Sequence, residues 1–253
     1  MQSVKKYKLV LETKSPFRIG GKKDPFSALD QPIVRIGDQV VVPGTTLKGA
    51  AREEIEQYLI RAYPDEAEMK PCIPSSDRML SLDERKLITD KMYKGSSCHY
   101  PCDPKKCDHE TTKLGHYICP ACYLLGAQGL VGFVTIPFLY ADTASSEVPA
   151  TRIDRVTRTV AEGTHRFYQM IPVGAKFEGT LTIILEDKIK KWNLGKPRPL
   201  QGHTQGDLWL KHGEWNMSKI LKELIEDRIS SITRLGGQKS SGAGEVSIAI
   251  QGI

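Results

Sequence analysis

The hydrophobic pattern of the first quarter of the chain predicts two strands and a long helix. Residues 8–12 alternate apolar and polar side chains, as in a strand with one buried face. A second, valine-rich strand covers residues 39–42 and ends at Pro43. The helix follows at once, capped by Thr45 or Thr46, and runs to about residue 62. Its apolar side chains recur every fourth residue, at Leu47, Ala51, Ile55 and Leu59.

The remaining pattern predicts two more strands, a second helix and a closing strand. Residues 130–140 are rich in β-formers, and residues 177–185 alternate clearly. Apolar residues at helical spacing cover 217–232, and residues 246–250 form the last strand. The fold class is therefore α+β, with a ferredoxin-like (RRM-like) β-α-β-β-α-β core. Many RNA-binding modules have this order, but the last strand has no aromatic side chain on which a base could stack.

Three long interruptions separate these elements. Loops of such length in a compact domain are functional or separately stabilised. We expect one domain over residues 1–253, with an insertion at 64–128, a β-hairpin-like thumb at 143–172 and a peripheral insertion at 187–215.

The net charge and the absence of targeting patterns bear on the partner and the cellular compartment of the protein. The 253 residues carry a formal charge of +6 with a pI near 8.9, which suits a nucleic-acid partner. We find no apolar run near the roughly 18 residues that a membrane helix needs, and no signal-peptide pattern. We therefore expect a cytoplasmic protein without a membrane partner, in which the six cysteines are metal ligands rather than disulfides.

Five cysteines of the first insertion have the spacing of a structural zinc site. Few apolar residues lie between 95 and 117, so a metal would supply folding energy that this segment lacks. The preferred set is Cys102, Cys107, Cys119 and Cys122, and Cys98 can replace either of the first two. His99, His109 and His116 are reserves, and Cys72 is interpreted as a bystander. Reactive cysteines, a catalytic zinc and unliganded thiols in a flexible loop are the alternatives.

A glycine-rich loop precedes the last strand and has the chemistry of an anion site. Its glycines permit positive φ and close approach by another molecule, while Lys239, Ser240 and Ser241 add a cation and two hydroxyls. The spacing is not that of a P-loop, which favours a polyanion backbone over a hydrolysed nucleotide. The alternative is a plain tight connection between helix and strand. The four glycines are Gly236, Gly237, Gly242 and Gly244.

Two further loops carry candidate chemistry. Gly20, Gly21 and Lys22 form a second basic turn, and Asp30 follows in a proline-bounded loop. A carboxylate next to a bound phosphodiester can hold Mg²⁺ or accept a proton from a 2′-hydroxyl, although a loop aspartate is more often a turn former.

The thumb segment combines cations with exposed apolar residues. Arg152, Arg155 and Arg158 can present a line of charge to a phosphate chain. A solvated charged loop is the alternative. The apolar residues available to contact bases are Val148, Ile153, Val156, Val160 and Met170.

Taken together, these segments resemble the backbone RAMP subunits of type III CRISPR effector complexes. The resemblance runs from the first strand to the last, leaving 187–215 unaligned. The segment at the start of the first helix, residues 42–49, and the glycine-rich segment before the last strand are specific in combination. The matching segments are Arg18-Ile19-Gly20-Gly21, Leu29-Asp30-Gln31-Pro32-Ile33-Val34, Val42-Pro43-Gly44-Thr45-Thr46-Leu47-Lys48-Gly49, Cys119-Pro120-Ala121-Cys122-Tyr123-Leu124-Leu125-Gly126, Arg152-Ile153-Asp154-Arg155, and Leu235-Gly236-Gly237 through Gly244.

The resemblance implies a subunit that stacks into a helical filament along a guide CRISPR RNA, with further copies of itself and other subunits. Its thumb would separate guide from target RNA, and Asp30 would cleave the target with Mg²⁺ or another divalent cation. Family members often have Ser-Arg-Gly where this chain has Ser240-Ser241-Gly242. The RNA-binding residues predicted by these arguments are Arg18, Gly20, Gly21, Lys22, Thr45, Thr46, Lys48, Arg52, Arg152, Arg155, Arg158, Gly236, Gly237, Lys239, Ser240 and Ser241.

Two other functions fit parts of the pattern. A non-catalytic scaffold subunit would bind and protect the guide RNA without cutting the target. A guide-processing nuclease of related fold would rely on histidine, for which His165 and His203 are the candidates outside the cysteine tract.

Overall fold

The computed structural model shows an α+β protein with a mainly antiparallel sheet and few helices. The residues it describes are 2–23, 30–72, 92–94, 97–100, 117–200, 206–211 and 214–253.

The main sheet has eight strands, and every pairing between them is antiparallel. Their order is β10-β1-β8-β5-β3-β2, and β4 and β9 also pair with β8. The strands are β1 (Gln2–Thr13), β2 (Arg35–Ile36), β3 (Gln39–Val42), β4 (Val134–Thr135), β5 (Leu139–Ala141), β8 (Lys176–Asp187), β9 (Trp192–Asn193) and β10 (Val246–Gly252). A separate pair consists of β6 (Ser146–Ala150) and β7 (Arg166–Met170).

Within the described residues, three helices accompany the sheet. Helix α1 covers Gly44–Ala62, and the short α2 covers Pro120–Leu125. Helix α3 is α-helical over Met217–Lys219, widens to a π-helix over Ile220–Glu226, and ends as an α-helix over Asp227–Ser230. Single 3₁₀ turns occur at Ala67–Met69, Leu208–Leu210 and Lys239–Ser241.

Strand β1 lies inside the sheet because its alternating residues fit a buried surface. Leu9 pairs with Gly179 of β8 on one side and with Ile250 of β10 on the other. Tyr7, Leu9 and Leu11 are buried, as the alternation predicts.

Helices α1 and α3 pack together over this core and are joined by polar contacts. The Tyr58 hydroxyl on α1 donates to Glu223 on α3 at 2.7 Å, and the Ser231 hydroxyl donates to Glu54 at 2.9 Å. The Tyr7 hydroxyl of β1 donates to Glu226 at 2.6 Å, which ties the sheet to α3. All four predicted apolar positions of α1 are buried in the same cluster as Leu9.

The predicted elements are present, with two differences. The β-rich stretch 130–140 forms two short strands, because residues 136–138 separate β4 from β5. The prediction that Thr45 or Thr46 caps α1 is wrong. Pro43 is the N-cap residue, no side chain caps the helix, and the Pro43 carbonyl accepts the amides of Thr46 and Leu47 at 3.0 and 3.3 Å.

The predicted thumb contains the antiparallel pair β6 and β7, in register from Ser146 opposite Met170 to Ala150 opposite Arg166. The base of this hairpin is attached to the segment after β1, since Phe17 and Ile171 exchange backbone hydrogen bonds of 3.0 and 2.8 Å.

The predicted peripheral stretch 187–215 is anchored by a buried ion pair in its described part. The Arg198 guanidinium and the Asp207 carboxylate meet at 2.7 Å with both side chains fully buried. The boundaries predicted for this stretch and for 64–128 stay predictions. Among the residues described, no helix has the length and apolar character needed to span a membrane.

The central position of β1 gives a stability prediction. Leu9→Ala should lower the free energy of unfolding by about 2–5 kcal/mol, because Leu9 is fully buried between two paired strands. Val4→Ala on the same strand is the control, since Val4 is 41% exposed and should change stability by less than about 1 kcal/mol. Chemical denaturation of both variants measures the difference. Equal losses would contradict the assignment of β1 to the core.

Candidate nucleic-acid interface and metal centre

Three segments that are far apart in the sequence line one cleft of about 430 Å³. The first is the turn at Ile19 and Gly20, the second is the first half of α1, and the third is the glycine loop. Six predicted RNA-binding residues lie together here. The lining residues are Ile19, Gly20, Thr45, Thr46, Gly49, Ala50, Glu53, Leu235, Gly236, Gly237 and Lys239.

Close backbone contacts hold the glycine loop against the segment that follows β1. The Gly237 amide donates to the Arg18 carbonyl at 2.9 Å, and the Gly244 amide donates to the Pro16 carbonyl at 2.9 Å. Gly236 has φ +84°, and a Cβ there would lie 2.3 Å from the Arg18 oxygen. Only glycine fits this position, so the conformation of the loop requires a glycine at residue 236.

The N-terminus of α1 gives the cleft an anion-binding character. No side chain caps the helix, Thr45 is exposed, and the space around Gly49 is open. Amide groups and the positive end of the helix dipole attract anions at such a terminus. Lys239, which is exposed in the glycine loop, adds a cation to the lining of the cleft.

A second cleft of about 440 Å³ adjoins the first and shares Thr45 with it. Lys48 is exposed and lines this second cleft, whose other walls are mainly apolar and include Val131 and Phe138. The predicted cations Lys48 and Lys239 therefore lie on either side of Thr45, at the start of α1.

Arg18 was predicted to bind RNA, and its side chain has mainly internal contacts. It is 8% exposed, its Nη2 donates to Gln31 Oε1 at 2.8 Å, and the guanidinium lies 5.5 Å from the centre of the Tyr168 ring. Arg18 thus connects the glycine turn with residue 31 and with the thumb strand β7.

Asp30 lies at the base of the thumb, where residues 30–33 run beside β7. The Gln31 amide donates to the Phe167 carbonyl at 3.2 Å, and the Gln169 amide donates to the Gln31 carbonyl at 3.1 Å. The Asp30 carboxylate accepts hydrogen bonds from Lys23 Nζ at 2.9 Å and from the Phe167 amide at 3.3 Å.

These contacts lower the pKa of Asp30 below its ordinary value. The hydrogen bond from Lys23 is the largest cause, the Phe167 amide is the next, and the charges of Lys23 and Arg166 add to them. The carboxylate is therefore ionised at neutral pH, and its ion pair with Lys23 makes it a weaker base than an isolated aspartate.

The thumb tip presents cations around an exposed apolar turn. Arg152, Arg155 and Arg158 are all exposed, and Val156 between them is 92% exposed. The Asp154 carboxylate shapes the turn by accepting the amides of Val156 and Thr157 at 2.8 and 3.0 Å.

Two other thumb predictions have different outcomes. Met170 is buried at the thumb base, so the prediction that it is available to contact bases is wrong. His165 is exposed on the thumb beside Phe167, whereas His203 lies outside the described residues.

Four buried cysteines converge on one point. The sulfurs of Cys72, Cys98, Cys119 and Cys122 all lie within 4.8 Å of one another, and Cys72 Sγ is 3.4 Å from Cys122 Sγ. A tetrahedral zinc with bonds of about 2.3 Å separates its sulfurs by about 3.8 Å. The four thiols fit such an ion and can hold a metal such as zinc.

Nearby donors favour thiolates in this cluster. The Cys119 amide donates to Cys98 Sγ at 3.3 Å, and Arg52 Nη1 donates to Cys122 Sγ at 3.4 Å. The Lys94 ammonium is also buried close by. Burial would lower the pKa of Lys94, but the negative charges of Cys98 and Cys119 outweigh burial and raise it, so the ammonium stays charged.

The cluster changes the predicted ligand set. Cys72 belongs to it, so the interpretation of Cys72 as a bystander is wrong. The signal was weak in the sequence, because 25 residues lie between Cys72 and Cys98 and only the fold closes that gap. Cys102, Cys107, His109 and His116 lie outside the described residues, and their predicted role stays a prediction.

The remaining predicted residues divide between the surface and the interior. Lys22, Ser240 and Ser241 are exposed near the cleft walls, while Arg52 points to the cysteine cluster. Glu53 lines the cleft and was not predicted. Its position four residues after Gly49, on the same face of α1, is a signal that the sequence did contain.

Fold and site together define a class: a basic α+β protein with a cleft suited to the phosphates of a nucleic acid and a cysteine cluster suited to a metal. The family follows from comparison with family models, since the RAMP superfamily model matches residues 10–247. The chain belongs to this superfamily and is a CRISPR-associated RNA-binding protein. None of the curated proteins compared with it matches significantly.

The cluster geometry predicts which cysteines bind the metal. Cys72→Ser should lower the zinc content of the purified chain well below one ion, because it removes one of four converging sulfurs. Zinc content measured by elemental analysis tests this.

Cys102→Ser and Cys107→Ser are the matched controls and should keep about one ion per chain. Zinc retained by Cys72→Ser but lost by either control would restore the ligand set predicted from spacing.

Proposed function

We propose that this chain is the backbone subunit of a type III CRISPR ribonucleoprotein in the cytoplasm. Copies of it would line up along a guide RNA, with other subunits of the complex, and cleave paired target RNA at regular intervals. The observation that carries this proposal is the cleft in which the glycine loop, the Gly20 turn and the uncapped start of α1 meet.

The strand order supports a ferredoxin-like core within one RAMP domain. We take β1, the β4–β5 pair, β8 and β10 as the four core strands, with α1 after the first and α3 after the third. Their lateral order, β10-β1-β8-β5, with all neighbours antiparallel, agrees with a split β-α-β arrangement. Residues 64–128, 143–172 and 187–215 are then a zinc-bearing insertion, a thumb and a peripheral insertion.

In this proposal the cleft holds the guide backbone. The start of α1 and the glycine loop, apart from its internally bonded Gly237 and Gly244 amides, contact phosphate oxygens without regard to base identity, which suits a subunit that must accept any guide sequence. Lys48, Lys22 and Lys239 supply the charge. Glu53 lines the same cleft and repels phosphate, so it limits where the backbone can run.

The thumb and Asp30 would act on the target strand. The exposed Val156, flanked by Arg155 and Arg158, suits insertion between guide and target nucleotides, and unstacking a nucleotide frees its 2′-hydroxyl to attack. The contacts between residues 30–33 and β7 support this arrangement, because they keep Asp30 in a constant position relative to the thumb.

The proposed chemistry is attack of a 2′-oxygen on the adjacent phosphorus, which breaks the bond to the 5′-oxygen of the next nucleotide. Asp30 accepts or orients the hydroxyl proton, and Lys23 can neutralise charge on the phosphate. Asp30 offers one carboxylate, the donor that Mg²⁺ takes from a protein when phosphates supply other ligands. When bound, Mg²⁺ would stabilise negative charge on the phosphate.

Replacement of Asp30 tests catalysis. Asp30→Ala should reduce target cleavage by roughly 10²–10⁴-fold while the complex still assembles with guide RNA, because the variant loses the proton acceptor but not the cleft. Cleavage of a labelled target by the assembled complex, with and without Mg²⁺, is the measurement.

Asp38→Ala, in the exposed turn between β2 and β3, is the control and should cleave normally. Undiminished cutting by Asp30→Ala would exclude Asp30 from the chemistry. A wild-type complex that binds target and leaves it intact would favour the non-catalytic scaffold.

Replacement of Lys239 tests the cleft. Lys239→Ala should weaken binding of all single-stranded RNA sequences alike and lower the slope of log K against log salt by about 0.7–1, because one phosphate contact is lost. Fluorescence anisotropy titrations at several salt concentrations measure both effects.

Lys188→Ala is the matched control, because Lys188 is exposed beyond the far end of β8, where Asp187 pairs with Gln2. Glu53→Gln should shift affinity in the opposite direction to Lys239→Ala. An unchanged salt slope in Lys239→Ala would show that the guide backbone does not contact this loop.

A further inference from the structure

A buried cation, Lys94, and a half-buried one, Arg52, lie against the cysteine cluster, and burying a cation is costly unless a negative group compensates it. Lys94 is 3% exposed. Its ammonium donates to the Tyr117 carbonyl oxygen and lies 4.2 Å from the centre of the Tyr117 ring. Neither of these partners carries a charge, so they do not balance the charge of the ammonium.

The backbone fixes Lys94 beside the first cysteine of the cluster. Residues 72 and 94 form a parallel bridge, and the Lys94 amide donates to the Pro71 carbonyl at 2.9 Å. The main chain of Lys94 is therefore held beside Cys72, so the side chain of Lys94 begins next to the cluster.

Arg52 approaches the cluster from α1. Its Nη1 lies 3.4 Å from Cys122 Sγ and 3.4 Å from the Glu56 carboxylate, and its Nη2 donates to the Gly126 carbonyl at 3.1 Å. Cys122 and Gly126 are also joined directly, because the Gly126 amide donates to the Cys122 carbonyl at 2.9 Å. The guanidinium thus holds both ends of the α2 turn that carries Cys122.

Glu56 pairs with Arg52, whereas the contacts of Lys94 outside the cluster are with uncharged groups of Tyr117. Four thiolates around Zn²⁺ carry a net charge of −2, which a neighbouring ammonium reduces. We propose that Lys94 offsets part of the charge of a metal centre formed by Cys72, Cys98, Cys119 and Cys122, and that Arg52 positions Cys122 for the metal.

This role separates Arg52 from the RNA cleft. A guanidinium committed to a thiolate, a carbonyl oxygen and Glu56 uses its donors inside the protein. Donors to a ligating sulfur fix its orientation and reduce its charge, which is how the surroundings of a metal site change its affinity.

Zinc affinity of the full chain tests the proposal. The double variant Arg52→Met with Glu56→Gln removes the guanidinium without leaving a buried carboxylate unpaired, and Lys94→Met removes the second cation. Each should raise the Zn²⁺ dissociation constant roughly 10–100-fold in competition with a chromophoric chelator. Arg61→Met, at an exposed position near the end of α1, is the matched control and should bind zinc like the wild type.

A second measurement distinguishes charge balance from ordinary packing. The substitutions should lower the melting temperature of the zinc-loaded protein much more than that of the chelator-treated protein, because all four sulfurs are deprotonated when they bind the metal. Arg52→Lys should bind zinc less tightly than the wild type, since one ammonium cannot reach both Cys122 and Gly126.

Three results would overturn the proposal. They are an unchanged zinc dissociation constant in the two methionine variants, an equal fall in both melting temperatures, and a wild-type zinc affinity for Arg52→Lys. None of these measurements depends on RNA binding or cleavage, so they remain decisive if the proposed function fails.

Discussion

The pairing of β1 with both β8 and β10 is the constraint on which the rest of this molecule depends. It places the last strand beside the first, and so brings the glycine loop that precedes β10 against the residues that follow β1. The uncapped start of α1 completes the cleft. A site suited to an extended anion therefore forms from three backbone segments, and the internal hydrogen bonds of Gly237 and Gly244 hold its glycine loop in place.

Positive charge in this protein has two separate uses. Lys48, Lys239 and the thumb arginines are exposed, where they can attract a polyanion at long range. Arg18, Arg52 and Lys94 are largely enclosed and hold loops, cysteines and strands together. Net charge alone does not distinguish these groups, because a long cationic side chain can turn inward wherever a negative or carbonyl partner compensates it.

The link between residues 30–33 and β7 joins the two parts of the proposed activity. A carboxylate on an isolated loop would move relative to the nucleotide that the thumb displaces. Here Asp30 accepts a hydrogen bond from the Phe167 amide of β7. The proposed proton acceptor would therefore keep a fixed position relative to the thumb that displaces the strand. The same contacts lower the pKa of Asp30, which keeps it ionised but makes it a weaker base.

Local patterns in the sequence were sufficient for the strands, the two long helices, the glycine loop and the presence of a cysteine site. Alternating apolar residues, apolar residues at every fourth position and closely spaced cysteines each depend on neighbours within a few residues. Such patterns can be recognised without the tertiary structure. Three features depended on the tertiary structure: Cys72 joined the cluster, Arg52 turned toward it, and α1 begins after Pro43 with no side-chain cap from either threonine. Each reflects a contact or a helix boundary that is set by packing between distant segments. The hydrophobic periodicity of a sequence does not show in which direction a packed side chain points.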